Sequence, residues 1–298
     1  MTPPGSSAPP SARVEPSTGP RPPDEADPVE TGPLVPYMLT PTETAELHYA
    51  FDAMVGDCMR SFGASWRHES LADYRRAAQD VLKYTMSWEY GVTDARDAYT
   101  GSPPQLPAWD GDLDYFLLQG KRDPNAGGPP ALESESPGEV DGRALPPGGC
   151  QGQAWRALDD AGGIGWGSSA VHFWTQAVAM TPQQPGYAEA LRPWRDCMAS
   201  KGYTVTDPIE DTGDIRAARD RGTDKGEPYP EELDLVEADV NCKSEVDLID
   251  VLTPLRMAAQ QQVLDEHRDE LEADRAMLDG KVARARAWIS EHGDQASS

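Results

Sequence analysis

Asp57-Cys58-Met59-Arg60-Ser61-Phe62-Gly63 and Asp196-Cys197-Met198-Ala199-Ser200-Lys201-Gly202 share one pattern, Asp-Cys-Met-x-Ser-x-Gly. Each copy closes an apolar run with helical spacing. Before the first, Leu47, Phe51, Met54, Val55, Cys58 and Met59 recur every three or four residues. Before the second, a helix is predicted from Tyr187 to Ser200 in spite of Pro193. The glycine supplies the left-handed residue on which helices commonly stop. After each copy comes a long polar loop and then a second cysteine, read as opening the next helix: Cys150-Gln151-Gly152-Gln153-Ala154 and Cys242-Lys243-Ser244-Glu245-Val246. The chain therefore holds a duplicated unit, helix–Cys–loop–Cys–helix.

Four cysteines in duplicated context, with no CxxC and no zinc-knuckle spacing, point to two structural disulfides and an oxidising compartment. Reduced, packed cysteines of a cytosolic protein are the competing reading. Four cysteines allow three pairings. The duplication assigns each bond to its own unit, Cys58 with Cys150 and Cys197 with Cys242.

Working outward, Thr40-Pro41-Thr42-Glu43 carries a capping-box Thr, a proline in the first turn and a Glu three residues on, so the first helix starts here. A second is expected from Ser70 to Trp88, with Leu71, Tyr74, Ala78, Val81, Leu82 and Thr85 on one side. Short pieces follow near Thr93 and from Tyr115 to Leu118, then a Gly- and Pro-rich loop from Gly120 to Gly149. The helix opened by Cys150 should end near Gly162, and another spans Ser168 to Met180. Thr204 to Pro230 reads as a second polar loop.

The longest element runs from about Glu231 to Glu291. Leu248, Leu252, Leu255, Ala259, Val263, His267, Leu271, Asp274, Leu278, Val282, Ala285 and Ile289 trace one face at a spacing of about 3.7 residues. Thr253-Pro254 is the expected kink or restart. Lys281, Arg284 and Arg286 lie near its end, where cations complement the helix dipole. No alternating β-branched run is long enough for a sheet, so the fold class is mainly α.

Thr2 to Pro36 holds eleven prolines and almost nothing that can enter a core. Such a stretch buries too little apolar area to offset its ordering entropy and reads as a disordered linker. The expected division is a tail over 1–36, a first helical unit over 37–165 and a second over 166–298. A Pro-rich tether of this kind often follows the cleavage site of an exported protein, and Met1 reads as standing in for a removed signal. With 51 acidic against 26 basic side chains and a net charge of −25, nucleic acid and anionic membrane surfaces are poor partners.

Other motifs do not carry chemistry. Asp110-Gly111-Asp112-Leu113-Asp114 starts like a calcium loop, but the sixth and twelfth positions are Tyr115 and Lys121 rather than Gly and Glu. Gly162-Gly163-Ile164-Gly165-Trp166-Gly167 follows no strand and reads as a connection, and Gly167-Ser168-Ser169 lacks the second glycine of a nucleophile elbow. His48, His68, His172, His267 and His292 include no pair three or four apart, so no metal site or cofactor is expected. His172 and His267 read as packed core histidines. Trp66, Trp88, Trp155, Trp166, Trp174 and Trp194 are read first as core and second as walls of a ligand cleft.

Cys58-Met59 with Gly63, Tyr90-Gly91-Val92-Thr93-Asp94 and Pro147-Gly148-Gly149-Cys150-Gln151-Gly152-Gln153-Ala154 resemble segments of exported proteins and lipoproteins of high-GC actinobacteria whose activity is uncharacterised. Trp194-Arg195-Asp196-Cys197-Met198, Gly202-Tyr203 and Ala238-Asp239-Val240-Asn241-Cys242-Lys243 resemble them too, so the likeness covers roughly residues 45 to 290, the cysteine contexts being its specific part. It implies export and disulfides and no particular activity. The expected function is extracytoplasmic and non-enzymatic, binding or supporting a cell-envelope protein or polymer, with membrane contact only through an N-terminal lipid anchor. The acidic stretch from Glu231 to Asp279, with fifteen acids and four bases, or the tryptophans would form the working surface. The competing expectation is an envelope-acting hydrolase using paired carboxylates in a helical cleft.

Peptide mapping without reduction should recover Cys58–Cys150 and Cys197–Cys242 alone. A Cys58–Cys197 link would mean that the units pair with each other. Chain-entropy arguments value closures of this length at roughly 4–5 kcal/mol each, comparable to the whole stability of many domains. Reduction should therefore lower the melting temperature by well over ten degrees.

Overall fold

The structure is a computed structural model, and it describes residues 32–79, 112–120, 136–159, 169–208 and 230–293. It is mainly helical. A 3-10 turn, Val35–Tyr37, precedes α1 (Pro41–Ser61). Residues 71–79 form α2, and α3 (Asp112–Gln119) leads to a small hairpin, β1 (Glu139–Val140) and β2 (Arg143–Ala144). Then come α4 (Gly149–Leu158), α5 (Ser169–Met180), α6 (Tyr187–Ala190), α7 (Arg192–Ser200), α8 (Pro230–Glu245) and α9 (Leu248–His292).

The duplicated motif is a helix stop built twice from the same parts. Met59 and Met198 are wholly buried beneath their helix ends. Ser61 Oγ donates to the Cys58 carbonyl at 2.7 Å, and Ser200 Oγ does the same to Cys197 at 2.7 Å. Gly63 and Gly202 take φ of 82° and 89°. Their left-handed turn lets Ala64 N–H reach the Met59 carbonyl at 3.1 Å and Tyr203 N–H reach Met198 at 3.0 Å. These six-residue closures satisfy carbonyls that the helix itself leaves open.

At its other end α1 begins with the expected capping box. Thr40 Oγ1 accepts from Glu43 N–H at 3.2 Å, and a Glu43 carboxylate oxygen accepts from Thr40 N–H at 2.9 Å.

The long helix organises the whole. At 1.5 Å per residue its 45 residues follow a helical path of about 67 Å, and it passes through three apolar clusters in turn. Leu248 and Leu252 enter one with Tyr187, Leu191, Trp194 and Met198. Ala259, Val263, Leu264 and Leu271 meet Leu34, Tyr37, Ala170 and Phe173 in a second. Val282 and Ala285 complete the third, with Leu47, Val55, Leu117 and Trp155. The apolar face read from spacing is thus the buried face.

Several boundaries differ from expectation. The tail expected over 1–36 runs too far, because Leu34 is fully buried; Leu34 and Tyr37 supply an apolar anchor that the prolines around them obscure. The division at 165/166 does not separate the packing, since α9 contributes to the first unit's core as well as to its own. The helix expected over 187–200 is two helices joined at buried Leu191, with Pro193 in the first turn of the second, where no intrahelical N–H is required. The long final element breaks at Asp247, in the left-handed region at φ 49°, and bends again at His267 (φ −126°, ψ 20°). Pro254 is carried inside α9 without ending it. Part of the loop over 120–149 forms the hairpin, turning on Asp141-Gly142 with φ of 52° and 73°. Arg143 from this hairpin lies over the Phe62 ring at 5.0 Å and donates to the Ser61 carbonyl, seating it on the end of α1. Of the second helix expected over 70–88, only the part to residue 79 is described, and the short helix near Thr93 lies outside the described residues.

Lys281, Arg284 and Arg286 do not simply sit on the helix dipole. Buried Lys281 pairs with Asp159 at 3.0 Å, Arg284 Nε donates to the Leu158 carbonyl at 2.6 Å, and Arg286 Nε donates to Glu46 at 2.7 Å. Nearly two turns earlier, buried Arg275 bonds Glu43 at 2.9 Å, Asp279 at 2.6 Å and the Met38 carbonyl at 2.6 Å. Burial works against its charge, but the Asp279 and Glu43 carboxylates outweigh that and raise its pKa.

Arg275→Ala leaves the buried Glu43 carboxyl without its guanidinium. The expected loss is about 3–5 kcal/mol in urea unfolding. Pairing the change with Glu43→Gln should return part of that loss.

Candidate functional site

Both bonds expected from the duplicated unit are formed. Cys58, in the last turn of α1, reaches Cys150 in the first turn of α4 with Cα atoms 5.5 Å apart. Cys197, in the last turn of α7, reaches Cys242 at 5.7 Å. Cys242 does not open a helix as expected; it lies in the last turn of α8, because that helix already starts at Pro230. The second bond therefore joins two helix C-termini, the first a C-terminus and an N-terminus.

The tryptophans are dispersed. Trp155 packs on Phe51 at 4.5 Å in the α1–α4 cluster, with Trp66 against it. Trp174 flanks the α5 cluster under Arg256, and Trp194 fills the α7–α8 cluster. Trp88 and Trp166 lie outside the described residues. The described tryptophans line three cores and no common cleft.

Beside Trp194 sits a closed polar triad. Its indole N–H donates to Asp239 at 2.9 Å, and Asp239 pairs with buried Lys243 at 2.5 Å. Asp274, an interruption on the apolar face of α9, accepts from Ser169 N–H at 2.6 Å and so caps α5. His267 stacks on Phe173 at 4.1 Å, whereas His172 points to solvent and is not the core histidine expected. Residues 112–114 of the acidic run are the first of α3; Asp110 and Gly111, like Gly162–Gly167, lie outside the described residues.

Spacing missed one constellation. His48 and Asp52, four apart on α1, meet His68 and Tyr74 from the segment that folds back over them. Tyr74 donates its hydroxyl to Asp52. Tyr49 stands edge-on to His68 at 5.5 Å and to Tyr74 at 6.0 Å. Arg75 and Arg286 both reach Glu46 one turn away. Burial raises the Asp52 carboxyl above its usual range, against the Tyr74 hydrogen bond and the charges of His48 and His68. Burial lowers His48, against the attraction of Asp52. Tyr74 is pushed far up by burial and by Asp52, so its hydroxyl stays a donor. The i, i+4 pair His48/Asp52 was visible as one helix face; His68 and Tyr74 could not be assigned to it without the fold.

A shallow cleft of about 180 Å³ lies nearby between α1, α4 and α9, lined by Met54, Asp57, Gln153, Ala154, Ala157 and Trp288. That is below the roughly 300–1,000 Å³ of ordinary ligand sites, and none of the four residues of the constellation lines it. Among the described residues no group of three or more His, Cys, Asp or Glu side chains is placed to hold a metal ion. No helix among them is long and apolar enough to cross a membrane.

Because the folded pKa of Asp52 is raised, the stability linked to its proton is present at low pH and is lost as pH rises from the ordinary carboxylate range through the folded value. Asp52→Asn keeps an acceptor for Tyr74 without that charge. Its melting temperature relative to the parent should rise between pH 4 and pH 8. A difference that is flat with pH would show that Asp52 is not titrating in a buried setting.

Compared with family models, curated proteins and solved structures, this chain matches none.

Proposed function

We propose that this is an extracytoplasmic, non-enzymatic protein that binds or supports another component of the cell envelope, a protein or a polymer. The observation that carries the reading is the pair of disulfides, each closing a long chain separation at helix ends beside an apolar cluster. Bonds used this way suit an oxidising compartment. The likeness of the cysteine contexts to exported actinobacterial proteins and lipoproteins supports the same placement.

The working surface in this reading is the outer side of α9. Asp265, Glu266, Asp269, Glu270 and Glu272 are exposed there within eight residues, and the one base among them, Arg268, is held by Asp265 at 2.9 Å. Trp155 and Trp194 are buried in cores and Trp66 and Trp174 pack against them, which favours this face over the tryptophans as the working surface. A second reading, a hydrolase, draws on Asp52, whose raised pKa and tyrosine partner are features of acid–base sites. Against it, the other buried carboxylates among the described residues, Glu43, Glu46, Asp159 and Asp239, each face a cation.

Protein isolated from its native compartment under thiol-blocking conditions should show no free thiols; four alkylated cysteines would remove the extracytoplasmic placement. Sedimentation with isolated cell envelopes tests binding. Neutralising all five exposed acids to Asn or Gln should reduce the bound fraction about tenfold at low salt, with a smaller effect at high salt. Equal sedimentation of both proteins would exclude this face.

A further inference from the structure

The two disulfides have the same chemistry and different surroundings. Cys58 and Cys150 are both buried, within the cluster formed by α1, α3, α4 and the end of α9. Cys242 is fully buried, but its partner Cys197 is only half-buried, on the outer edge of the α7–α8 cluster. The Glu245 carboxylate lies 3.7 Å from Cys197 Sγ, and Asp196 is its exposed neighbour.

Exchange needs a thiolate to reach one sulfur of the bond. At Cys58–Cys150 that requires α1 and α4 to part. At Cys197–Cys242 one sulfur can be approached in the native fold, past two carboxylates. We propose that Cys197–Cys242 is a selectively reducible bond, opened by attack on Cys197 Sγ and filtered by Glu245 against anionic thiols.

The step balances with a dithiol as reductant. Its thiolate forms a bond to Cys197 Sγ as the Cys197–Cys242 bond breaks, and Cys242 leaves with the electron pair and takes up a proton. The second reductant thiol then displaces Cys197, so one dithiol is oxidised to a disulfide and two protein thiols are made.

Opening has a defined structural reach. The bond ties α8 to α7 across 45 residues of chain. What still joins the two helices, among the described residues, is the Trp194–Asp239–Lys243 triad and the apolar packing of Leu235 and Ala238. The bond between Cys58 and Cys150 is not involved, so the α1–α4 cluster stays closed. The device thus loosens the cluster at the start of α9 and leaves the one at its end intact, and small neutral or cationic thiols are the reductants that fit it.

The test uses the oxidised full chain under native conditions. Dithiothreitol, cationic cysteamine and anionic mercaptoethanesulfonate are each applied, samples are quenched by alkylation, and labelled cysteines are mapped with time. Cys197 and Cys242 should be labelled about tenfold or more faster than Cys58 and Cys150. A monothiol leaves Cys197 as a mixed disulfide and frees Cys242, so cysteamine should outpace mercaptoethanesulfonate in the labelling of Cys242, a gap that narrows several-fold in Glu245→Gln and in high salt. Simultaneous labelling of all four cysteines, or Cys58 and Cys150 first, would overturn selective reduction. An unchanged gap in Glu245→Gln would overturn the filter.

Discussion

One guanidinium holds the two ends of the described chain in register. Arg275 lies buried two-thirds of the way along α9 and grips Glu43, Asp279 and the Met38 carbonyl at once. Glu43 is also the carboxylate that caps α1 at Thr40. The start of α1, the approach from Leu34 and the turn of α9 beneath them are therefore fixed by one cluster. Ionised groups in such a place cost several kcal/mol each to desolvate and are tolerated because every partner is present. The remaining clusters follow from that register, since each takes part of its apolar content from α9.

The same economy of bases shapes the surface. Lys243, Arg256, Arg275 and Lys281 are all buried, against Asp239, the Trp174 ring, Glu43 and Asp159. A chain with only 26 bases thus commits some of them to its interior. The face shown to a partner along Asp265–Glu272 is left correspondingly acidic. High net charge favours solubility and discourages self-association, while the buried pairs offset its repulsion locally.

Periodic and local signals were legible. The Asp-Cys-Met-x-Ser-x-Gly repeat is a helix stop whose Ser, Met and Gly each have a visible task, and the capping box at Thr40 and the buried face of α9 read directly from spacing. Other features depend on partners distant in sequence. The bend at His267 has no Pro or Gly to announce it and accompanies a stack on Phe173. Arg284 and Arg286 occupy positions that suit a helix dipole, yet tertiary acceptors claim them. Likewise His48 and Asp52 gain their character only when Tyr74 covers them, an encounter across 22 residues. Asp141-Gly142 was a readable hairpin turn hidden by the Pro- and Gly-rich composition around it.

The path of α9 also sets an order of events during synthesis. Chains emerge from the ribosome N-terminus first, and early segments fold as soon as their contacts are complete. Here α1 can form its cap and stop at once, but Val282 and Ala285, which close its core, lie near the C-terminal end of the chain and appear late. Until they arrive, Leu47, Val55 and Met59 have no lid, although Cys58 and Cys150 are both already available to each other. Oxidation can thus precede packing: once Cys150 is available, the first bond can tether the chain before the last strip of its core arrives.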